Sequence, residues 1–249
     1  MPSGALSVWT LIRAVEYKLL GAFESLFSGV RYQHRKSTQG DQVASFLVDD
    51  LVAVGQSQKL NAAVARGVLV LNVANTTTGR RHRRGDGTFG TIVPGEIPVV
   101  DPAYTVRMGP VANIRIGAEV KILAKAIQKQ LDRVGSDMRN QAAQFERHGN
   151  DPICVGIVGF NHASSYTSYE GEKAWETDGG KYKHPVQEAG AAERRLLHEI
   201  ADSFAEVIRL RFVATNRGRF PFRWLNKAAT TREYGAALVR LSALFEKRS

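Results

Sequence analysis

An acid and a base lie two residues apart in the apolar run NIRIGAEVKIL, residues 113–123. Successive strand side chains point to opposite faces, so Glu119 and Lys121 would lie side by side. The pair is either an ion pair on a solvated face or a site. In a site, the carboxylate would hold a hard cation such as Mg²⁺ and the amine would offset phosphate charge. The apolar alternate positions favour a site, as does Gly117, which leaves room beside the pair for a ligand or another backbone.

A strand and a helix have to position this pair. Residues 111–123 are the clearest strand pattern in the chain, and from Ala124 to about Arg147 the apolar period becomes helical. Residues 151–163 begin with a turn and continue as a second buried strand, and 67–73 predict a third. The acid and the base therefore belong to a central strand that is followed at once by a helix.

This arrangement resembles the PD-(D/E)XK restriction-endonuclease-like nucleases, in which an acid, one residue and a lysine end a central strand. The resemblance covers about residues 40–160, where strand, motif, helix and second buried strand come in the family's order. It implies a restriction-endonuclease-like fold. It also implies a further acid upstream, on the adjoining strand.

Asp101, eighteen residues before Glu119, is the upstream acid that we expect from this resemblance. It departs from the family's pattern, because it does not directly follow a proline. Glu96 and Asp86 are the alternatives. Asp86 is flanked by glycines, which is first of all typical of a turn.

The resemblance implies a role for each of these residues. Asp101 and Glu119 would hold Mg²⁺, for which Mn²⁺ could substitute, and the carbonyl of Val120 would be a third ligand. Lys121 would orient or help to deprotonate the attacking water. Asp41, at the start of an early helix, is a candidate for a further metal ligand; its alternative role is that of a first-turn acid favoured by the helix dipole.

Two basic segments could grip a polyanion. The stretch GRRHRRGDG places Arg80, Arg81, Arg83 and Arg84 within five positions. Arginine can form two parallel hydrogen bonds to phosphate oxygens or to guanine. The alternative interpretation of this segment is a solvated loop. Residues 216–227, NRGRFPFRWLNK, predict either phosphate contacts with base stacking or a partly buried loop with an aromatic anchor. The candidate nucleic-acid contacts in this second segment are Arg217, Arg219 and Arg223.

A polar and aromatic segment follows the second buried strand. Within FNHASSYTSYEGEKAW, residues 160–175, Asn161, His162, Tyr166 and Tyr169 predict a recognition loop or a supporting hydrogen-bond cluster. His162 is expected to be hydrogen-bonded at the end of the sheet. No second His or Cys stands at ligand spacing, so a metal role for His162 is disfavoured.

The overall composition points to a polyanionic partner. The chain has 249 residues with 34 Lys+Arg against 24 Asp+Glu, a formal net charge of +10. The only cysteine, Cys154, lies in an apolar run typical of a core position, and no internal disulfide can form. Residues 5–27 mix apolar and charged residues, which indicates an amphipathic helix rather than a membrane span or a signal peptide. We therefore expect a cytoplasmic protein with no membrane partner.

The order of elements predicts one α/β domain over residues 1–249. We expect a mixed central sheet with helices on both faces. The nuclease-like core would span about 40–160, preceded by the helix at 5–27 and followed by strand and helix additions over 186–249.

The function that these observations predict is a Mg²⁺-dependent endonuclease that hydrolyses phosphodiester bonds in DNA, of a restriction or defence type. RNA is the alternative substrate, and double-strand cutting would imply a homodimer. Two other hypotheses are a non-catalytic nucleic-acid-binding protein on the same fold and an unrelated α/β enzyme that uses residues 160–190. The motifs GxxxxGK[ST], GxSxG and HExxH are absent from the sequence, which leaves P-loop, acyl-transfer and zincin chemistries without support.

Overall fold

The structure, a computed structural model, describes residues 16–34, 38–72, 76–77, 80–81, 85–180 and 183–248. Within these residues the helices are α1 (Lys18–Ser25), α2 (Thr38–Ser45), α3 (Leu47–Val54), α4 (Gln58–Ala65), α5 (Ile127–His148), α6 (Pro185–Ile200) and α7 (Lys227–Arg248). The strands are β1 (Leu69–Leu71), β2 (Thr76–Thr77), β3 (Arg80–Arg81), β4 (Gly87–Ile92), β5 (Val111–Leu123), β6 (Gly149–Asn161), β7 (Tyr166–Glu170), β8 (Lys173–Thr177), β9 (Glu206–Ala214) and β10 (Phe222–Trp224).

The main sheet is mixed and runs in the order β1-β4-β5-β6-β9-β10. Strands β1, β4 and β5 pair antiparallel, β5, β6 and β9 pair parallel, and β10 adds antiparallel to β9. The β2–β3 hairpin joins this sheet at Val111, the first residue of β5, whereas β7 and β8 pair only with each other. The predicted α/β class with a mixed sheet is confirmed.

Helices cover both faces of this sheet, as the sequence predicts. Residues from α5 and α6 form one apolar core cluster, and residues from α1 to α4 and α7 form the other. Side chains alternate between the two faces along β5, and Ile116, Ala118 and Val120 on one face are buried in the second of these clusters. Among the described helices, none combines the length and the apolar composition that a membrane span requires.

Several predicted boundaries shift where tertiary pairing overrides the local pattern. The apolar pattern of residues 41–55 predicts one helix, but the structure has two helices that meet at Phe46. The pattern of residues 186–208 also predicts one helix, but this helix ends at Ile200, because the last of these residues pair with β6 as the start of β9. The polar stretch 163–185 contains the β7–β8 hairpin. In the N-terminal prediction, the described helix is α1, and 5–15 lie outside the described residues.

Two buried acids of α3 connect the helices on one face. Asp50 accepts hydrogen bonds from the backbone N–H groups of Lys18 and Leu19, at 2.8 and 3.0 Å, and from the Tyr234 hydroxyl at 2.8 Å. Asp49 accepts a hydrogen bond from Lys18 Nζ at 2.8 Å. The first N–H groups of a helix have no partner within that helix. Asp50 therefore caps α1 across 31 residues of sequence.

Candidate active site

The candidate site lies where β5 extends beyond its neighbour β4. Gly87, the first residue of β4, pairs with Ala118, so the following residues of β5 keep β6 as a partner but have no further β4 residue opposite. The backbone N–H of Val120 donates instead to Asp86 Oδ2 at 2.7 Å. The carboxylate of Asp86 thus continues the hydrogen bonding of β4 and is placed beside the motif on β5.

A cavity of about 350 Å³ opens at this place. The end of β5 forms its floor, α5 forms one wall, and the segment before α2 forms another. The charged and polar residues that line it are Tyr32, His34, Gln39, Asp86, Glu119, Lys121, Gln130, Arg133, Asp137 and Gln141. Its lining carries both acids and bases, as a site for a metal and an anion would require.

Glu119 and Lys121 lie on the same side of β5, as strand alternation predicts. Lys121 Nζ is 2.6 Å from Glu119 Oε1, and Glu119 is only 4% exposed. The Lys121 side chain is 22% exposed and lies at the cavity. The ion pair is therefore buried on the acid's side, which is unlike a pair on a solvated face.

Asp86 is held in an environment that opposes its ionisation. Burial and the negative charge of Glu119 raise the pKa of Asp86 from its ordinary value of 3.8 to about 7. The hydrogen bond from Val120 and the positive charge of Lys121 act in the opposite direction, and the charge of Asp41 raises the pKa further. A cation between the carboxylates would relieve this repulsion.

The upstream acid at this cavity is Asp86, not Asp101. Asp101 is not among the residues that line the cavity, and its Oδ1 accepts a hydrogen bond from the Ala103 N–H at 2.9 Å within a turn. Glu96 is exposed and also lies outside the cavity lining.

The antiparallel pairing of β4 and β5 explains why Asp86 lines this cavity and Asp101 and Glu96 do not. The connection between them, which holds Asp101 and Glu96, leads to the start of β5 at Val111. Glu119 lies eight residues further on, roughly 25 Å along the strand. The residue that precedes β4 is instead the one that meets the end of β5. This residue is Asp86, whose glycine-flanked turn position was the available sequence signal.

Asp41 lies in the first turn of α2, close enough to Asp86 for its charge to raise the pKa of that acid. The neighbouring Gly40 packs directly on Asp86, because a Cβ added to Gly40 would lie 2.7 Å from Asp86 Cγ. Asp41 is not among the cavity-lining residues. Its role as a further metal ligand stays a prediction.

The space beside Gly117 is filled by protein. A Cβ added to Gly117 would lie 2.4 Å from the ring of Phe145 on α5, and one added to Gly85 would lie 2.2 Å from the same ring. The expectation that Gly117 leaves room for a ligand is therefore wrong. The two glycines let Phe145 pack against β5 and against the residue before Asp86, which fixes both acids relative to α5.

The wall of the cavity on α5 was not found from the sequence. Gln130, Arg133, Asp137 and Gln141 recur about once per turn and line it. Gln141 is 2% exposed, and its Nε2 has no hydrogen-bond partner among the described residues. A buried amide without a partner costs free energy, which indicates that a ligand or water satisfies it. The common helical spacing of these residues was the available signal, although α5 also carries polar residues on its other faces.

The arginines predicted to contact nucleic acid differ in their surroundings. Arg80 and Arg81 form β3, but their side chains and all of Arg83 and Arg84 lie outside the described residues. Arg217 pairs with Glu176, with Nη1 3.0 Å from the carboxylate. The other two candidates, Arg219 and Arg223, are exposed.

The aromatic residues of 216–227 belong to the core. Trp224 stacks on Phe23 with ring centroids 5.5 Å apart, and Phe222 stacks on Phe212 at 5.8 Å. Between the two alternatives for this segment, the structure favours the loop with an aromatic anchor over base stacking by these rings.

The polar segment after β6 serves partly as support. Asn161 is fully buried, and its Nδ2 donates to the carbonyls of Ala124 and Ala214 at 3.1 and 2.8 Å. Tyr166 hydrogen-bonds to His34, which lines the cavity. His162 does not line the cavity, and burial lowers its pKa. The contacts of Asn161 and Tyr166 agree with a supporting cluster, whereas the Nε2 atom of His162 is buried without the expected hydrogen-bond partner among the described residues.

No three His, Cys, Asp or Glu side chains within the described parts of the chain form a ready-made metal centre. Comparisons with family models, with curated proteins and with solved structures found no match to this chain.

Proposed function

We propose that this protein is a metal-dependent endonuclease that hydrolyses phosphodiester bonds in DNA. The observation that carries the proposal is that Asp86, Glu119 and Lys121 meet in one cavity at the end of β5. The motif resemblance and the order of strand, motif, helix and parallel strand support a restriction-endonuclease-like fold for the same residues.

The donor set of the cavity fits a hard divalent cation. Mg²⁺ is usually held by one or two carboxylates and keeps several waters, so a centre of three acidic side chains is not required. Asp86 and Glu119 would supply the two carboxylates. A strand residue presents its N–H and C=O to the same side. Since the Val120 N–H faces Asp86, its carbonyl is turned towards the same place and would be the third ligand.

When bound, Mg²⁺ would polarise the phosphate and lower the pKa of a bound water. The residues of the chain supply the remaining functions. Lys121 would orient or help to deprotonate the attacking water and would offset the charge that grows on the phosphate. Arg133 has a side chain that is 68% exposed at the cavity, where it can contact a second phosphate oxygen.

DNA is the proposed partner because of charge. A net charge of +10 favours a polyanion, and Arg219 and Arg223 are exposed cations outside the cavity. A restriction or defence role, a homodimer for double-strand cutting and a cytoplasmic location belong to the same proposal.

The test is cleavage of a supercoiled plasmid mixture and of a matched RNA with Mg²⁺, with Mn²⁺ or with EDTA. We expect the wild-type protein to cut DNA with either metal and not with EDTA. Glu119→Gln and Lys121→Ala should each lower the rate about a thousandfold, because each removes a group needed at the reacting phosphate. Their affinity for DNA should stay within about threefold of that of the wild type, well under the tenfold that corresponds to 1.4 kcal/mol.

Glu96→Gln is the matched control, since it removes an exposed acid of the β4–β5 connection, and it should cut at the wild-type rate. Cleavage that survives in both Glu119→Gln and Lys121→Ala would refute the assignment of the site. Cutting of the RNA alone would refute DNA as the substrate.

The Glu119–Lys121 ion pair favours one second candidate, a nucleic-acid-binding protein without turnover. Lys121 already supplies a cation to Glu119 at 2.6 Å. DNA binding that falls about a thousandfold between 50 and 200 mM salt, with no cleavage under any metal, would select this candidate.

A further inference from the structure

His34 enters the cavity from a segment outside β4, β5 and α5. It lines the same cavity as Asp86 and Lys121. The segment that carries it is fixed by Asn216, whose Oδ1 accepts from the Tyr32 N–H at 2.8 Å and whose Nδ2 donates to the Tyr32 carbonyl at 3.3 Å. Asn216 is 2% exposed, so this clamp is shielded from water. His34 is therefore held in place at the cavity wall.

One of the two ring nitrogens of His34 has a hydrogen-bond partner in the protein. Its Nε2 lies 3.1 Å from the Tyr166 hydroxyl, and Tyr166 is fully buried. The edges of Tyr32 and Tyr166 also contact the ring, with centroids 5.0 and 5.4 Å away. This is the only hydrogen bond that the His34 ring makes with the described residues.

The direction of this hydrogen bond sets the tautomer. Burial raises the pKa of Tyr166 well above its ordinary value, so the phenol keeps its proton. Burial and the positive charge of Lys125 lower the pKa of His34 to about 4, so the ring is neutral at pH 7. A neutral ring that accepts from Tyr166 at Nε2 carries its proton on Nδ1, whereas the other tautomer would donate from Nε2 to the Tyr166 oxygen. In the first tautomer the nitrogen left for a ligand is a donor.

We infer that His34 binds the substrate strand directly, by donating Nδ1–H to a phosphate oxygen in the cavity, with Tyr166 holding the ring in the required tautomer. The inference rests on the proposed function, since it assumes that a nucleic-acid strand enters this cavity. A phosphodiester offers only acceptors, and a neutral donor adds to Lys121 and Arg133 without placing a third charge near the buried Tyr166.

Two variants separate this role from a purely structural one. In His34→Asn the amide lies near the position of Nδ1, so a donor to the substrate is kept while the bond to Tyr166 is lost. In His34→Gln the longer amide reaches the position of Nε2, so the bond to Tyr166 is kept and the donor is lost. The inference and a structural role predict opposite rankings of these variants.

The measurement is the affinity for a fluorescent DNA oligonucleotide in the Glu119→Gln background with Mg²⁺, where the strand is bound but not cut. We expect His34→Gln to weaken binding about tenfold to a hundredfold, as the loss of a hydrogen bond to a charged group does. His34→Asn should stay within about threefold of the parent, a difference below 1 kcal/mol. The loss in His34→Gln should be constant from pH 6 to 8.5, because the ring that it replaces is neutral throughout.

His198→Ala, on the exposed side of α6, is the control and should bind like the parent. Binding that is lost in His34→Asn but kept in His34→Gln would overturn the inference in favour of a structural role, as would equal binding in both. A loss that grows towards pH 6 would overturn it in favour of a cationic His34. Failure of the Glu119→Gln parent itself to bind DNA would refute the proposed function instead.

Discussion

Asp86→Asn is expected to abolish cleavage and, at pH 8 in EDTA, to make the protein more stable by about 1–3 kcal/mol. The first effect follows because the amide is a poor ligand for a hard cation. The second follows because the buried charge next to Glu119 is removed, while the amide oxygen can still accept the hydrogen bond from Val120. A gain in stability with loss of activity is typical of a group kept for function.

The pH dependence of this gain has a defined sign. The pKa of Asp86 is raised by burial and by Glu119 from 3.8 to about 7 in the folded protein. Between these values the folded state holds a proton that the unfolded state has released, so the free energy of unfolding falls as the pH rises. Below pH 4 both states are protonated and the variant should match the wild type. Above pH 7 the full difference should be present.

Urea unfolding at pH 4 and pH 8 in EDTA measures this difference, and addition of Mg²⁺ at pH 8 measures metal binding. Mg²⁺ should stabilise the wild type and leave Asp86→Asn unchanged. Asp101→Asn is the matched control, because the amide can still accept from the Ala103 N–H. It should cut DNA and unfold like the wild type. A variant Asp86→Asn that is less stable at pH 8, or one that still cuts, would contradict the assignment.

Asp50→Ala is expected to destabilise the protein by about 3–5 kcal/mol, the second large effect. The change leaves three donors without this partner, the buried Leu19 N–H and Tyr234 hydroxyl and the partly buried Lys18 N–H. It also removes the cap of α1. Burial raises the pKa of Asp50, whereas the hydrogen bonds from Leu19, Tyr234 and Lys18 act in the opposite direction by stabilising its charged form.

Tyr234→Phe is the matched control, since it removes only one of the three donors and should cost about 1 kcal/mol. Urea midpoints of both variants, followed by near-ultraviolet circular dichroism, measure the difference. Equal costs for the two variants would show that Asp50 does not cap α1.

The candidate site divides into a part that the sequence predicts and a part that it does not. The pairing of Glu119 with Lys121 follows from strand alternation alone, which is a local property of the chain. The wall residues Arg133 and Gln141 share one face of α5 by helical spacing, but only the packing of α5 beside β5 turns that face towards the cavity. The hydrogen bond between His34 and Tyr166 joins residues that are 132 apart in the sequence, so no local pattern predicts it.

The α/β class, the central strand and the helix after it can be predicted from the chain alone, because they depend on local apolar periodicity. That Asp86 rather than Asp101 lies beside Glu119 follows from strand pairing, because the antiparallel register sets Gly87 against Ala118. Packing likewise decided that Phe145 fills the space at Gly117. The number of residues between two positions does not tell which of them lie opposite each other in paired strands. Only the register of the strand pairing supplies this information.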